Sequence, residues 1–347
     1  MITQEKRGDL VDNYDLSGLK ILLPKLPFEE LWVYFHPNRS ARGLRPEFTW
    51  DMLLKATMLQ WKLDIADDVS LAGYLSKSKE AVELCGMPRA PSHDVLSRFT
   101  REHGHKFEKV HIWLDTILEE HGVFEDDDLA GDGTVAKLHK PQSKPDVDCF
   151  GAKSNFEKFY GLWLMFLVSV NTGLVRSFNY GKARVGQVKL MFDLLTMRMI
   201  QSGSKIFLDG IFDVKDIHAA VMFDQESLPM ITYNHKNSKH KSRKDLPYDD
   251  WRGDYNPWFK DGLWMILESA KRTSVERTNS HAKMNTPLKH VYERSRRLQK
   301  RSKNHIHKLI CGAVILPQLY KLMEIYAPQP VTLIQFMQES VEEPMEA

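Results

Sequence analysis

The feature that most constrains the fold of this chain is a change of hydrophobic rhythm near Glu125. Before it, apolar residues recur at helical spacing over Phe28–Phe35, Trp50–Leu63, Ser70–Leu84, His93–His103 and His105–His121. Recurrence every three to four residues gathers side chains on one helix face. No segment before residue 128 alternates as a half-buried strand does, so an all-α N-terminal domain is expected over residues 1–120. Ser92 has the chemistry of an N-cap, and Asp94 falls in the first turn, where the helix dipole favours an acid. A cluster of short helices of this kind serves as a DNA reader, a dimer element or a scaffold.

After Glu125 the rhythm becomes that of strands. Asp126, Asp127 and Asp128 read as a solvated turn, and Leu129–Thr134 as a short strand that ends on Asp132 between Gly131 and Gly133. Phe159–Val170 and Leu174–Tyr180 flank Asn171-Thr172-Gly173, a hairpin turn signal. Gln187–Ile200 is helical in spacing. Lys205–Leu208 is a β-rich run closed by Asp209 and Gly210, Asp213 stands where an N-cap is wanted before Val214–Phe223, and Leu228–Tyr233 is a further strand. The order strand, hairpin, helix, strand, helix, strand predicts an α/β domain over 121–326, with a mixed sheet flanked by helices. A basic, then Trp-rich insertion occupies about 234–264. Pro287 is expected to stop the helix before it, a second basic helix is expected over about 288–326 with a kink at Pro317, and residues 327–347 form an acidic tail.

Charge is uneven along a near-neutral chain of 347 residues with a net +2. His235–Lys244 holds five Lys/Arg and no acid, and Lys289–Lys308 holds eight against Glu293 alone. Basic blocks on such a background point to a polyanionic partner. Cys85, Cys149 and Cys311 match no zinc spacing and read as reduced thiols. His305 and His307, two apart on a helix, face different ways. No P-loop, GxGxxG or Ser-His-Asp arrangement is present. The longest apolar run, Leu162–Val170, is too short to cross a bilayer, and the N-terminus lacks an apolar signal segment, so a cytoplasmic protein is expected.

The chemistry concentrates in three acids. Asp132 and Asp209 each close a predicted strand beside a glycine that lets backbone or ligand come close, at the sheet edge where α/β folds bind ligands. Glu276 lies in the segment Arg272–Lys283, RTSVERTNSHAK. At roughly 100° per residue, Arg272, Glu276 and Lys283 fall within about 40° of one another on a helix. Such a stripe is either a solvated face with an Arg–Glu pair or an acidic ligand flanked by phosphate-binding cations. Two aspartates and a glutamate suit Mg²⁺, which takes carboxylates together with substrate phosphate. A two-ion site of that kind performs phosphodiester chemistry, provided the three carboxylates lie within metal-sharing distance.

These residues resemble a known family. Arg272, Glu276 and Lys283 match the spacing of the Tyr-Arg-Glu-Lys signature of DDE-type insertion-sequence transposases. Gly131-Asp132-Gly133-Thr134 resembles the family's first-Asp segment, Leu208–Asp213 its second, and Pro91–Phe99 the segment that closes its helical N-terminal domain. The similarity covers roughly residues 45–320. The signature's Tyr position holds Ser269, so an aromatic contact to DNA is missing there or supplied elsewhere.

The resemblance implies an RNase H-like core holding two Mg²⁺ (or Mn²⁺) ions on Asp132, Asp209 and Glu276. It implies cleavage of double-stranded DNA at terminal inverted repeats and 3′-hydroxyl strand transfer into target DNA, carried out by a homodimer on the DNA within the nucleoid. Arg272 and Lys283 would contact phosphates, with Arg277, Arg297 and Arg301 as further DNA contacts beside Arg294, Arg296 and Lys300. Trp258 and Trp264 fit either packing anchors or a surface on which a base stacks. A domesticated DNA-binding protein and a metal-dependent nuclease without strand transfer are the alternatives.

Overall fold

A computed structural model describes residues 15–35, 47–125, 127–153, 157–198, 200, 205–234, 246–247, 250–257, 259, 276–280, 286–298 and 303–327. The chain forms two compact units: Met1–Leu114 with His307–Ala347, and Asp115–Ile306.

The first unit is helical. It contains α1 (Ser17–Leu22), α2 (Trp32–Phe35), α3 (Trp50–Lys62), α4 (Asp68–Leu75), α5 (Lys79–Leu84) and α6 (His93–His103), and α7 (Phe107–Glu120) begins in it. The single helix expected over 70–84 is two. Asp67 caps α4 by accepting from Ser70 N at 2.8 Å, and Ser78 caps α5 by accepting from Ala81 N at 3.2 Å, so the chain restarts between them. Ser92 holds the N-cap position of α6, but its hydroxyl makes no capping hydrogen bond.

Residues 307–327 belong with these helices rather than with the sheet, unlike the expected division at 120 and 326. The reason lies in the helix Lys303–Tyr326. Lys308 Nζ donates to Asp68 Oδ1 at 2.9 Å and to Thr100 Oγ1 at 3.2 Å. Gln318 Oε1 meets His111 Nδ1 at 3.0 Å, and Gly312 leaves room for Trp61, whose Nε1 would lie 2.5 Å from an added Cβ. The helix is long and apolar enough to cross a bilayer by composition alone, yet 67% of its apolar window is buried inside the protein.

The second unit holds β1 (Leu129–Lys137), β2 (Phe150–Ala152), β3 (Lys158–Ser169), β4 (Val175–Lys182), α8 (Gln187–Met197), β5 (Lys205–Leu208), α9 (Lys215–Ala219), β6 (Leu228–Ile231) and α10 (Arg252–Tyr255). The strands form one sheet in the order β2-β3-β1-β5-β6, with β4 also pairing β3. β3 pairs antiparallel with β1, β2 and β4, whereas β5 pairs parallel with β1 and β6. The sheet is therefore mixed, as the order of elements predicts. The hairpin between β3 and β4 turns at Gly173, whose φ of 72° is the left-handed conformation that glycine adopts without strain.

Alternation along β1 sorts its residues by face. Leu129 and Val135 join Met165, Leu167, Leu190, Met191, Leu194, Ile206 and Leu208 in the apolar core that α8 covers. Asp132 and Thr134 point to the opposite face. At roughly 25 cal/mol per Å² of apolar surface, burying α8 against this core is what holds the helix, since eleven residues are marginal alone.

Candidate active site

Asp132 does not end its strand. β1 continues to Lys137, because it stays paired with β3 over its whole length, Leu129 opposite Ser169 through Lys137 opposite Gly161. What ends near Asp132 is the parallel neighbour. β5 pairs with β1 only at Leu129–Ile206, Ala130–Phe207 and Gly131–Leu208. Asp132 and Asp209 each follow directly on the last pair of that register, and continuing it by one step would set them opposite one another, across strands about 4.8 Å apart. Asp209 Oδ1 also accepts from Gly210 N at 2.7 Å and opens the 3₁₀ turn Gly210–Phe212, whose Phe212 is fully buried.

The glycines beside these acids serve packing, not ligand approach. A Cβ at Gly131 would strike Leu208 Cδ2 and lie 3.0 Å from Leu167 Cδ2. One at Gly133 would strike Met165 Cε and lie 2.8 Å from Gln187 Oε1. A Cβ at Gly210 would sit 3.1 Å from Thr232 O, so that glycine accommodates backbone.

Residues 276–280 are helical and sit against the Asp132 face. Asn279 Nδ2 donates to Asp132 Oδ2 at 3.0 Å, and Thr278 Oγ1 donates to Gly173 O at 3.0 Å. Glu276 is one turn before Asn279, on the same side of the helix, and is exposed. Asn279 is buried to 6% exposure, and its Oδ1 has no hydrogen-bond partner among the described residues. A buried carbonyl left so costs about 1–3 kcal/mol. Thr134 Oγ1, two residues along the same face of β1, is likewise buried without a partner. Sequence reasoning missed Asn279; its place at i+3 from Glu276 was the available signal.

Four other acids hold the framework, and the expected roles of Asp213, Asp127 and Asp128 are corrected. Asp213 is no helix cap: the N-cap of α9 is Val214, without a side-chain bond. Asp213 is buried and takes Arg252 Nε at 2.9 and 3.1 Å, His218 Nε2 at 3.1 Å and Asn234 N at 3.0 Å. Burial pushes its carboxyl up, but these donors outweigh burial and hold it below the usual carboxylate range. Asp127 and Asp128 are not a solvated turn either; Asp126 lies outside the described residues. Asp127 is 1% exposed and accepts from Asn171 N at 3.1 Å, and burial raises its pKa. Asp128 Oδ1 accepts from Lys205 N at 3.1 Å, tying the start of β5 to that of β1. Asp250 pairs with Arg252 Nη1 at 3.0 Å.

Of the predicted DNA contacts, Arg277 is exposed on the helix that carries Glu276. The basic helix is Val291–Leu298, preceded by the 3₁₀ turn Pro287–His290, so Pro287 opens an element. Val291 is buried, Arg296 pairs with Glu293 at 3.7 Å on the exposed side, and Ser295 Oγ accepts from His139 N at 2.8 Å. Arg297 lies in this helix. Arg272, Lys283, Lys300, Arg301, Trp258, Trp264, Ser269 and the block 236–244 lie outside the described residues. His307 is buried, and burial first, then His105, pushes it down to about 4; it meets Cys311 Sγ at 3.3 Å.

Among the described residues, no three His, Cys, Asp or Glu side chains stand together as a metal-holding group. The structure thus places Asp132 and Asp209 each one residue past the last β1–β5 pair and seats the Glu276 helix against Asp132, without assembling a trio among the described residues. Hard carboxylate oxygens on adjacent strands, next to unpartnered neutral oxygens, are a donor set that fits Mg²⁺ or Mn²⁺. No protein-family model matches the chain, and no curated protein matches it.

Proposed function

We propose that this chain is a DDE-type DNA transposase with an RNase H-like core, acting as a homodimer on double-stranded DNA. The observation that carries this reading is the register of β1 and β5, which pairs Gly131 with Leu208, the residues immediately before Asp132 and Asp209. The helix bearing Glu276 supports it through the Asn279–Asp132 hydrogen bond. Asp132, Asp209 and Glu276 are the residues that would hold divalent cations. When bound, such ions lower the pKa of water or a 3′-hydroxyl and offset charge on the leaving oxygen.

The chain's own residues bind and orient the DNA. Arg277, together with Arg272 and Lys283 in the same segment, supplies cations for backbone phosphates beside the acids, and the basic helix with Arg294, Arg296 and Arg297 extends that track, with Arg301 following it in sequence. Cleavage at an element end leaves a 3′-hydroxyl. Strand transfer then exchanges one phosphodiester for another, with no covalent enzyme intermediate.

Purified protein given labelled DNA ends from the flanks of its gene, with Mg²⁺, is expected to nick and join them. Asp132→Ala or Glu276→Ala variants that cleave as well as wild type would show that the site is misassigned. A second reading, a DNA-binding protein of the same fold that no longer cuts, is favoured by the lack of a three-carboxylate group among the described residues. Retained DNA binding with no cleavage in Mg²⁺ or Mn²⁺ would select it.

A further inference from the structure

We propose that Asn279 is a neutral hydrogen-bond acceptor and positioning residue of the acidic site, orienting Asp132 with the N–H end of its amide and accepting from a cation-bound water with the oxygen. This role rests on the reading of Asp132 as a cation-holding carboxylate. Asp132 offers only acceptors, so the amide nitrogen faces it, at 3.0 Å, and Oδ1 is turned away from the carboxylate. That oxygen is buried and has no partner among the described residues, whereas buried polar atoms in native proteins are nearly always satisfied by protein, water or ion.

The amide is not free to turn elsewhere. Thr278, the preceding residue, pins the helix to the β3–β4 turn by donating to Gly173 O at 3.0 Å. Thr134 adds a second unpartnered oxygen on the face of β1 that carries Asp132. A buried, unsatisfied amide oxygen on the side chain that holds a carboxylate describes a polar spot built for a hydrated species. Mg²⁺ and Mn²⁺ suit it, since Mg²⁺ retains several waters and asks for acceptors to hold them. A carboxylate ligand that is itself hydrogen-bonded by a neighbouring side chain is the usual arrangement around bound metals.

The test is titration of Mn²⁺ into the full-length protein by calorimetry, with thermal unfolding of each metal-free variant alongside. Wild type is expected to bind Mn²⁺, and Asp132→Ala to abolish binding. Asn279→Ala and Asn279→Leu are expected to weaken it by about 10–100-fold. Asn279→Asp keeps size and an outward oxygen but loses the N–H that Asp132 accepts, so it is expected to bind more tightly than Asn279→Leu while falling short of wild type. That partial rescue separates a hydrogen-bond acceptor from a side chain that merely fills space, even where Asn279→Ala folds poorly. Binding by Asn279→Leu within about twofold of wild type, while Asp132→Ala abolishes it, would overturn the role of Asn279 alone. An Asn279→Asp variant as weak as Asn279→Leu would do the same. Wild-type protein that takes up no Mn²⁺ would overturn the acidic site itself.

Discussion

Arg252 reaches across 39 residues to grip Asp213 through both carboxylate oxygens, at 2.9 and 3.1 Å, and both side chains are buried. Asp213 is four residues past Asp209, so this pair fixes the far end of the turn that the second candidate acid opens. Rings enclose the charge: the guanidinium lies 4.4 Å from the Trp251 centroid and 5.2 Å from that of Tyr233, and Trp251 also meets His218 edge-on at 5.0 Å.

Removing one partner of a buried pair strands the other. Arg252→Ala is expected to destabilise the second unit by about 3–5 kcal/mol, read as a lower urea midpoint. Asp213 is held below its unfolded value, so its contribution is present above about pH 4 and lost as pH falls through the lower folded value. An Arg252→Ala midpoint equal to that of wild type at pH 7 would contradict this account.

His307 supplies a separate acid sensitivity. Folded, it titrates at about 4; unfolded, at about 6.5. The unfolded chain therefore binds the extra proton between those values, and stability that is complete above pH 6.5 is lost as pH falls toward 4. Urea unfolding at pH 7.0, 5.5 and 4.5 is expected to show that loss in wild type and a flatter profile in His307→Gln. Equal slopes for the two proteins would refute it.

Gly131 is surrounded by Leu208, Leu167 and Met191. Gly131→Ala is expected to cost about 1–3 kcal/mol through overpacking and to push β5 away from β1. Thermal unfolding measures the cost. An unchanged midpoint would mean that the strands give way without resistance.

Arg277 is exposed beside Glu276. If it neutralises one phosphate, Arg277→Ala lowers the slope of log K against log salt by about 0.9. Fluorescence anisotropy on labelled duplex across a salt series reads this directly, and an identical slope would remove Arg277 from the interface.

Local pattern revealed much of this fold. Alternation and turn chemistry located the β3–β4 hairpin, and the strand-then-Asp-Gly run located Asp209 at the end of β5. The misread positions share one cause, a partner distant in sequence. Asp213 has the residue type and place of a cap, but Arg252 claims it. Asp127 and Asp128 look solvated until Asn171 and Lys205 are brought to them by the sheet. Gly131 and Gly133 looked like openings for a ligand because nothing in the sequence says that Leu208 and Met165 fill the space. The end of the Asp132 strand was misplaced because pairing with β3, and not local propensity, carries β1 on to Lys137. Asn279 was overlooked because its significance lies wholly in the carboxylate 147 positions earlier.

β1 stands at the seam of the sheet, antiparallel to β3 on one side and parallel to β5 on the other. Asp132 is therefore held by one half of the sheet, and Asp209 follows the first strand of the other. A fragment keeping only the antiparallel ribbon would retain one carboxylate without its mate, and a fragment keeping only the parallel strands would lose the turn at Gly173 on which the Glu276 helix rests. The site cannot be divided or grafted as a loop; it is inherited only with the whole sheet.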